Sequence, residues 1–60
     1  MMKKSNIDRV LSIMDGLDEN MTVCAIERNT QESTMGSVDN VYQWIINMNN
    51  KHENCEFDLI

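Results

Sequence analysis

Two cysteines and one histidine are the most chemically versatile side chains of this 60-residue chain. His52 and Cys55 lie close together in the sequence, and Cys24 belongs to an apolar segment that could pack beside them. A zinc site needs four donors, or three donors and a water, in tetrahedral geometry. Because Cys55 is predicted to point inward while His52 ends a helix, we expect no metal site. Both cysteines are interpreted as reduced thiols buried in the core, and His52 as an exposed residue near a helix C-terminus.

The same residues do not favour nucleophilic catalysis. A catalytic thiolate requires an electropositive, partly open site, whereas the sequence around His52 is acidic, with Glu53 and Glu56 nearby. A chain of this length also leaves little wall for an enclosed substrate pocket. Gly16 and Gly36 are the only glycines, so the chain has no glycine-rich phosphate loop. We therefore expect a protein that is not an enzyme and carries no cofactor.

The acidic segment over residues 15–20 offers oxygen ligands for calcium. An EF-hand loop, however, places donors at alternating positions, a glycine at its sixth position and a glutamate at its twelfth. This segment does not meet that spacing. We interpret it as a solvated turn that ends a helix.

Apolar residues at helical spacing predict a first helix over residues 6–16. Ser5 followed by Asp8 is a near-variant of the capping box, and Gly16 is expected to be a left-handed C-cap. Ile13 lies off the main stripe, so it either widens the buried face or contacts a partner. The stripe itself consists of Ile7, Val10, Leu11, Met14 and Leu17.

Three further segments are candidate strands. Residues 21–26 are mainly β-branched and apolar, which is typical of a strand covered on both faces or nearly so. Residues 34–36 could form a short middle strand after a polar hairpin tip. Residues 55–60 alternate apolar and acidic residues, which predicts a half-buried strand. In that strand the inward residues are Cys55, Phe57 and Leu59, and the outward residues are Glu56 and Asp58.

A second helix is predicted over residues 38–51, with Ser37 as its N-cap and Asp39 in its first turn. Its apolar stripe consists of Val38, Val41, Tyr42, Ile45 and Met48. Trp44 and Ile46 extend apolar surface onto other sides of this helix. Either the helix is sandwiched between other elements, or Trp44 belongs to an interface, where tryptophan is enriched.

The order α-β-(β)-α-β predicts one small α+β domain over residues 1–60, with two helices packed on a two- or three-stranded sheet. The strand order stays open at this point. Direct pairing of the first and last strands across the second helix predicts a right-handed crossover and a parallel pair. A middle hairpin strand predicts a mixed sheet with a helix at each end.

The chain carries a net charge of −5, and residues 29–60 hold five of the ten acids but only one of the five bases. Binding to nucleic acid is disfavoured, because phosphate contacts demand a basic surface. No run of 18 apolar residues exists that would span a membrane. The charged and polar residues after the first methionines do not match a signal peptide, so we expect a cytoplasmic protein.

These features favour a protein-binding module as the first hypothesis. Under this hypothesis, Trp44 and Ile13 form an apolar spot within an acidic field. The protein docks through this surface on a basic patch of a larger protein. The acidic field is assigned to Glu53, Glu56 and Asp58. The short, Pro-free, Asn- and Met-rich chain resembles in style small phage-encoded inhibitors that take over host functions or counter host defences, although no motif matches a particular family.

The alternative hypothesis is an obligate homodimer with a structural or regulatory role and no independent activity. The exposed edge of a small sheet favours this hypothesis, because such edges are usually paired or protected. The strand over residues 55–60 or the second helix would pair with its copy.

Overall fold

The computed structural model describes residues 6–52 and 54–60 and shows the predicted α+β class. The elements in chain order are α1 (Ile7–Asp15), β1 (Thr22–Glu27), β2 (Ser33–Ser37), α2 (Val38–Lys51) and β3 (Phe57–Leu59). The middle strand therefore forms. Helix α1 packs against α2 and β3, while α2 also lies across β1 and β2.

Strand β1 lies in the middle of the sheet, and both neighbouring strands run antiparallel to it. The expected parallel pair and mixed sheet are therefore wrong. The β1–β2 hairpin reverses the chain before α2 begins, so the chain returns in β3 antiparallel to β1. Strands β2 and β3 consequently run parallel to each other on either side of β1, and α2 connects them.

Helix α2 begins as predicted at the N-cap Ser37. The Oγ atom of Ser37 accepts a hydrogen bond from the backbone N–H of Asn40 at 3.3 Å. This bond satisfies one of the backbone donors that the first turn of a helix leaves unpaired.

The end of α1 differs from the prediction. Gly16 has φ −87° and is right-handed, so it is not the expected left-handed cap. Instead, the N–H groups of Gly16 and Leu17 bond to the carbonyls of Ile13 and Met14 at 3.1 and 3.0 Å, which tightens the last turn. Ser5, the predicted start of a capping box, lies outside the described residues.

The core lies between the two helices and one face of the sheet. It consists of Val10, Met14, Val23, Ala25, Val38, Val41, Ile45, Met48, Cys55 and Phe57. Alternation along β1 sends Val23 and Ala25 into this core and Cys24 and Ile26 to the opposite face. The helices cover β1 on one face, while Cys24 and Ile26 on the other face are half-buried, so the strand is not fully covered on both faces. Of the two cysteines, only Cys55 is a core thiol.

Strand β3 is shorter than predicted, and a side chain from α1's N-cap position occupies its outer edge. The N–H of Phe57 donates to Asn6 Oδ1 at 2.8 Å, and Asn6 Nδ2 donates to the Phe57 carbonyl at 2.7 Å. The amide group of Asn6 thus bonds to the N–H and the carbonyl of Phe57 that a further strand would need for pairing. These two bonds also attach the start of α1 to the sheet.

Glu27 is a completely buried carboxylate at the end of β1. Its Oε1 accepts from the N–H of Thr30 at 2.8 Å, and its Oε2 accepts from the N–H of Glu56 at 2.5 Å. Burial alone would raise the pKa of Glu27. Hydrogen bonds from the backbone of Glu56, Thr30 and Asn29, and from the Thr30 hydroxyl, outweigh that effect and hold the pKa below its ordinary value.

We predict that Glu27→Gln lowers the free energy of unfolding by about 2–3 kcal/mol at neutral pH, because charge-assisted bonds to two backbone donors are lost. A lowered folded-state pKa stabilises the protein above the unfolded-state value of about 4.3, and this contribution is lost as pH falls through the folded-state pKa. The difference between wild type and variant should therefore shrink in acid. Urea denaturation at neutral and acidic pH measures it.

The matched control for this experiment is Glu32→Gln, which removes the charge of an exposed carboxylate. Its stability should stay within about 0.5 kcal/mol of wild type. Equal stabilities of the Glu27 variant and wild type at neutral pH would contradict the role of this carboxylate.

Candidate protein-binding surface

A groove of about 370 Å³ lies between α1 and β3, and we call it the α1–β3 groove. It is lined by Arg9, Val10 and Ile13 of α1 and by Phe57, Asp58 and Leu59 of β3. The three α1 residues share one side of the helix, because residues three and four apart are neighbours on a helix surface.

Ile13 is 49% exposed at this groove, so it does not widen the buried face of α1. Asp58 is the one predicted acidic residue that the structure brings beside Ile13. Arg9 lines the same groove, and its positive charge offsets the negative charge of Asp58. The α1–β3 groove therefore combines apolar side chains with one charge of each sign, and it is not acidic.

The predicted acidic field on β3 is partly neutralised by Arg28. The guanidinium of Arg28 hydrogen-bonds to Asp58 through Nε, and its Nη1 lies 3.9 Å from Glu56 Oε2. The hydrogen bond to Asp58, followed by the negative charges of Asp58 and Glu56, raises the pKa of Arg28. Glu53, the third residue assigned to the field, lies outside the described residues.

Trp44 is partly buried and packs against the core. Its ring meets Phe57 edge to face, with ring centroids 6.1 Å apart and an interplanar angle of 73°. Phe57 lines the α1–β3 groove, so Trp44 supports this groove through Phe57. The structure therefore brings Ile13 and Asp58 together and places Trp44 behind them.

A second groove, of about 280 Å³, lies between the end of α1 and the start of α2. Its apolar lining consists of Met14, Leu17, Val38 and Tyr42. Three carboxylates, those of Asp15, Glu19 and Asp39, complete the lining, and we call this site the acidic groove. No base among residues 6–52 and 54–60 forms an ion pair with these carboxylates.

Sequence reasoning missed the acidic groove, because it assigned these acids to separate local roles. The sequence pattern places Asp15 and Glu19 at a turn that ends the first helix, and it places Asp39 in the first turn of the second helix, where its charge suits the helix dipole. The turn does form, since Asp18 Oδ1 accepts from the N–H of Asn20 at 2.9 Å. The packing of α1 against α2 brings this turn close to Asp39 at the start of α2.

The thiols and the histidine are not assembled into a reactive site. Cys55 Sγ lies 3.6 Å from the backbone carbonyls of Met48 and His52, as a buried thiol donor. Burial and, to a lesser extent, the charge of Glu27 raise the pKa of Cys55, so its thiol stays protonated. The imidazole Nε2 of His52 instead lies 4.0 Å from Glu32.

Within the part of the chain that the structure describes, no group of three or more His, Cys, Asp and Glu residues is arranged to hold a metal ion. None of the described helices is long and apolar enough to cross a membrane.

The fold and its grooves define a small two-layer α+β protein with a candidate protein-binding surface. No protein-family model, no curated protein and no solved structure matches the chain.

We predict that Trp44→Ala lowers the free energy of unfolding by about 2–3 kcal/mol, because it removes the ring that packs on Phe57. Trp44→Phe keeps an aromatic ring there and should cost about 1 kcal/mol. Urea denaturation followed by circular dichroism measures both. A Trp44→Ala variant as stable as wild type would contradict the packing role and make this ring available for docking.

Proposed function

We propose that this chain is a small acidic protein-binding module that docks on a basic patch of a larger protein through the acidic groove. The observation that carries the proposal is the combination of accessible surface on Leu17 and Tyr42 with three carboxylates on one concave surface. Apolar centres with polar rims are typical of protein interfaces.

Charge supports this choice of surface over the α1–β3 groove. Asp15, Glu19 and Asp39 are all exposed and have no basic partner among the described residues. Near the α1–β3 groove, in contrast, Arg9 and Arg28 offset Asp58 and Glu56. The net charge of −5 adds a field that attracts basic partners over longer distances.

The lining of the acidic groove indicates which segment of a partner it would hold. Leu17 and Tyr42 are partly buried, so each offers apolar surface that a partner side chain can cover. A segment that carries an apolar side chain flanked by lysine or arginine matches this surface, because its cations meet the three carboxylates. We therefore propose a basic, apolar segment of another protein as the occupant.

Occupying a basic surface blocks whatever that surface ordinarily binds, so the corresponding activity is that of an inhibitor. The phage-like style of the sequence is consistent with such an activity. The free thiols Cys24 and Cys55 suit a reducing compartment, so we place the protein in the cytoplasm as part of this proposal.

Affinity capture from a bacterial lysate tests the proposal, with wild type, Glu19→Lys and Glu32→Lys as baits. Both substitutions reverse one exposed carboxylate, but only Glu19 lines the acidic groove. We expect a basic protein that wild type and Glu32→Lys retain and Glu19→Lys loses. Raising the salt from about 0.05 M to about 0.5 M should release it, because salt screens exposed charges.

Titration of the purified target against the three baits then gives the affinities. Glu19→Lys should weaken binding about tenfold, since a like charge now faces the partner's cations. Equal affinities of the two variants would show that the acidic groove is not the surface. Capture of no basic protein above the control would overturn the proposed function.

A further inference from the structure

The two outer edges of the sheet differ in how they are protected. Asn6 occupies the outer N–H and carbonyl of Phe57, so the edge of β3 is blocked at that residue. Strand β2 has no comparable side chain on its outer edge within the described residues. The free edge of β2 is therefore the place where another strand can pair.

The register identifies which β2 groups face outward. The bond from the N–H of Glu27 to the carbonyl of Glu32, with Ile26 opposite Ser33, fixes the alternation of the ladder. By this alternation, Thr34 and Gly36 bond to β1, whereas the backbone groups of Met35 point away from it. The carbonyl of Ser33 and the N–H of Ser37 point the same way.

The chemistry of β2 lacks the usual protections of an exposed edge. Its five residues, Ser33–Ser37, include no charged residue and no proline. Met35 is 70% exposed, and it lies directly across from Cys24 on the face of the sheet that the helices do not cover. Natural edge strands commonly carry lysine, proline or an inward-pointing charge that prevents pairing.

We propose that β2 pairs antiparallel with β2 of a second copy, about a two-fold axis at Met35, to form a six-stranded sheet. Each Met35 then exchanges both of its outward hydrogen bonds with its copy. The N–H of each Ser37 donates to the Ser33 carbonyl of the other copy, which gives four backbone bonds in all. A second copy is the natural occupant, because a strand without charge is complementary to itself.

Charge and side chains are compatible with this register. The paired residues Ser33–Ser37 carry no charge, so no two acids face each other within the new ladder. On the uncovered face, Ile60 bonds to the Cys24 carbonyl beside Met35, and Ile60 is 83% exposed. In each copy the half-buried Cys24 lies between the exposed side chains of Ile60 and Met35, and pairing joins these two apolar rows into one continuous row.

The expected dimer is weak. A five-residue edge covers less than the roughly 800 Å² per partner of a standard stable interface. Each copy also carries a charge of −5, which opposes association. We therefore expect a dissociation constant between about 10 µM and about 1 mM. Added salt should tighten the dimer by screening this repulsion, whereas docking through the acidic groove weakens with salt.

Sedimentation equilibrium between about 10 µM and about 1 mM tests the proposal on wild type, Met35→Lys and Ile13→Lys. Both variants introduce one lysine at an exposed apolar position, but Ile13 lines the groove beside β3, and β1 separates β3 from β2. Met35→Lys should raise the dissociation constant about tenfold or more, because two lysines then face each other. Ile13→Lys should leave it within about threefold of wild type, since its lysine lies far from β2.

Amide hydrogen exchange on wild type gives a second measurement that needs no variant. The N–H groups of Met35 and Ser37 should exchange more slowly at the higher protein concentration, while that of Gly36, which already bonds to β1, should not change. A wild type that stays monomeric up to about 1 mM, or equal effects of the two lysine variants, would overturn the proposal. Val38 and Asp39 of the acidic groove directly follow Ser37, so the two surfaces adjoin. Both measurements use the chain without a partner, and their outcomes therefore do not depend on the proposed function.

Discussion

The buried carboxylate of Glu27 joins three parts of the chain: the end of β1, the β1–β2 hairpin and the segment just before β3. One oxygen accepts from Thr30 in the hairpin between β1 and β2, and the other accepts from Glu56 just before β3. Besides this link, the segment after α2 is held beside β1 by a three-residue strand and by one backbone bond on either side of it, from Arg28 to Glu56 and from Ile60 to Cys24. A charge-assisted hydrogen bond inside the protein is strong, and leaving its buried donors unpaired is costly. The link therefore favours the position of β3 beside β1 over other positions of this segment.

The position of β3 in turn determines how the two helices pack on the sheet. Because β3 lies beside β1, Phe57 enters the core, where Trp44 meets its ring and Asn6 pairs with its backbone. These contacts attach α2 and the start of α1 to the same residue. Both helices therefore lie over one face of the sheet, and the far end of α1 meets the start of α2 to form the acidic groove. The opposite face, with Cys24 and Ile26, stays uncovered.

Local periodicity was enough to predict both helices and the strands, but not what covers them. A run such as residues 21–26 is apolar whether one face or both faces of the strand are buried, so the position of the half-buried Cys24 outside the core does not follow from it. Glu27 and Asn6 were not predicted as structural residues, since polar residues next to a strand or helix resemble ordinary loop residues. Their partners, Glu56 and Phe57, are 29 and 51 positions away. The acidic groove was missed for the same reason, because Asp39 reaches the other two acids only after the helices pack.

The edges of the sheet also explain why self-association through β2 would stop at two copies. A two-fold pairing uses the same edge of both copies and leaves the two β3 edges at the ends of the six-stranded sheet. Each of those edges is a three-residue strand whose first residue is already bonded to Asn6. Further strands would have to displace that amide and bring additional copies of an acidic chain together. The amide of Asn6 therefore stabilises the monomer and, at the same time, favours a closed dimer over an open fibre.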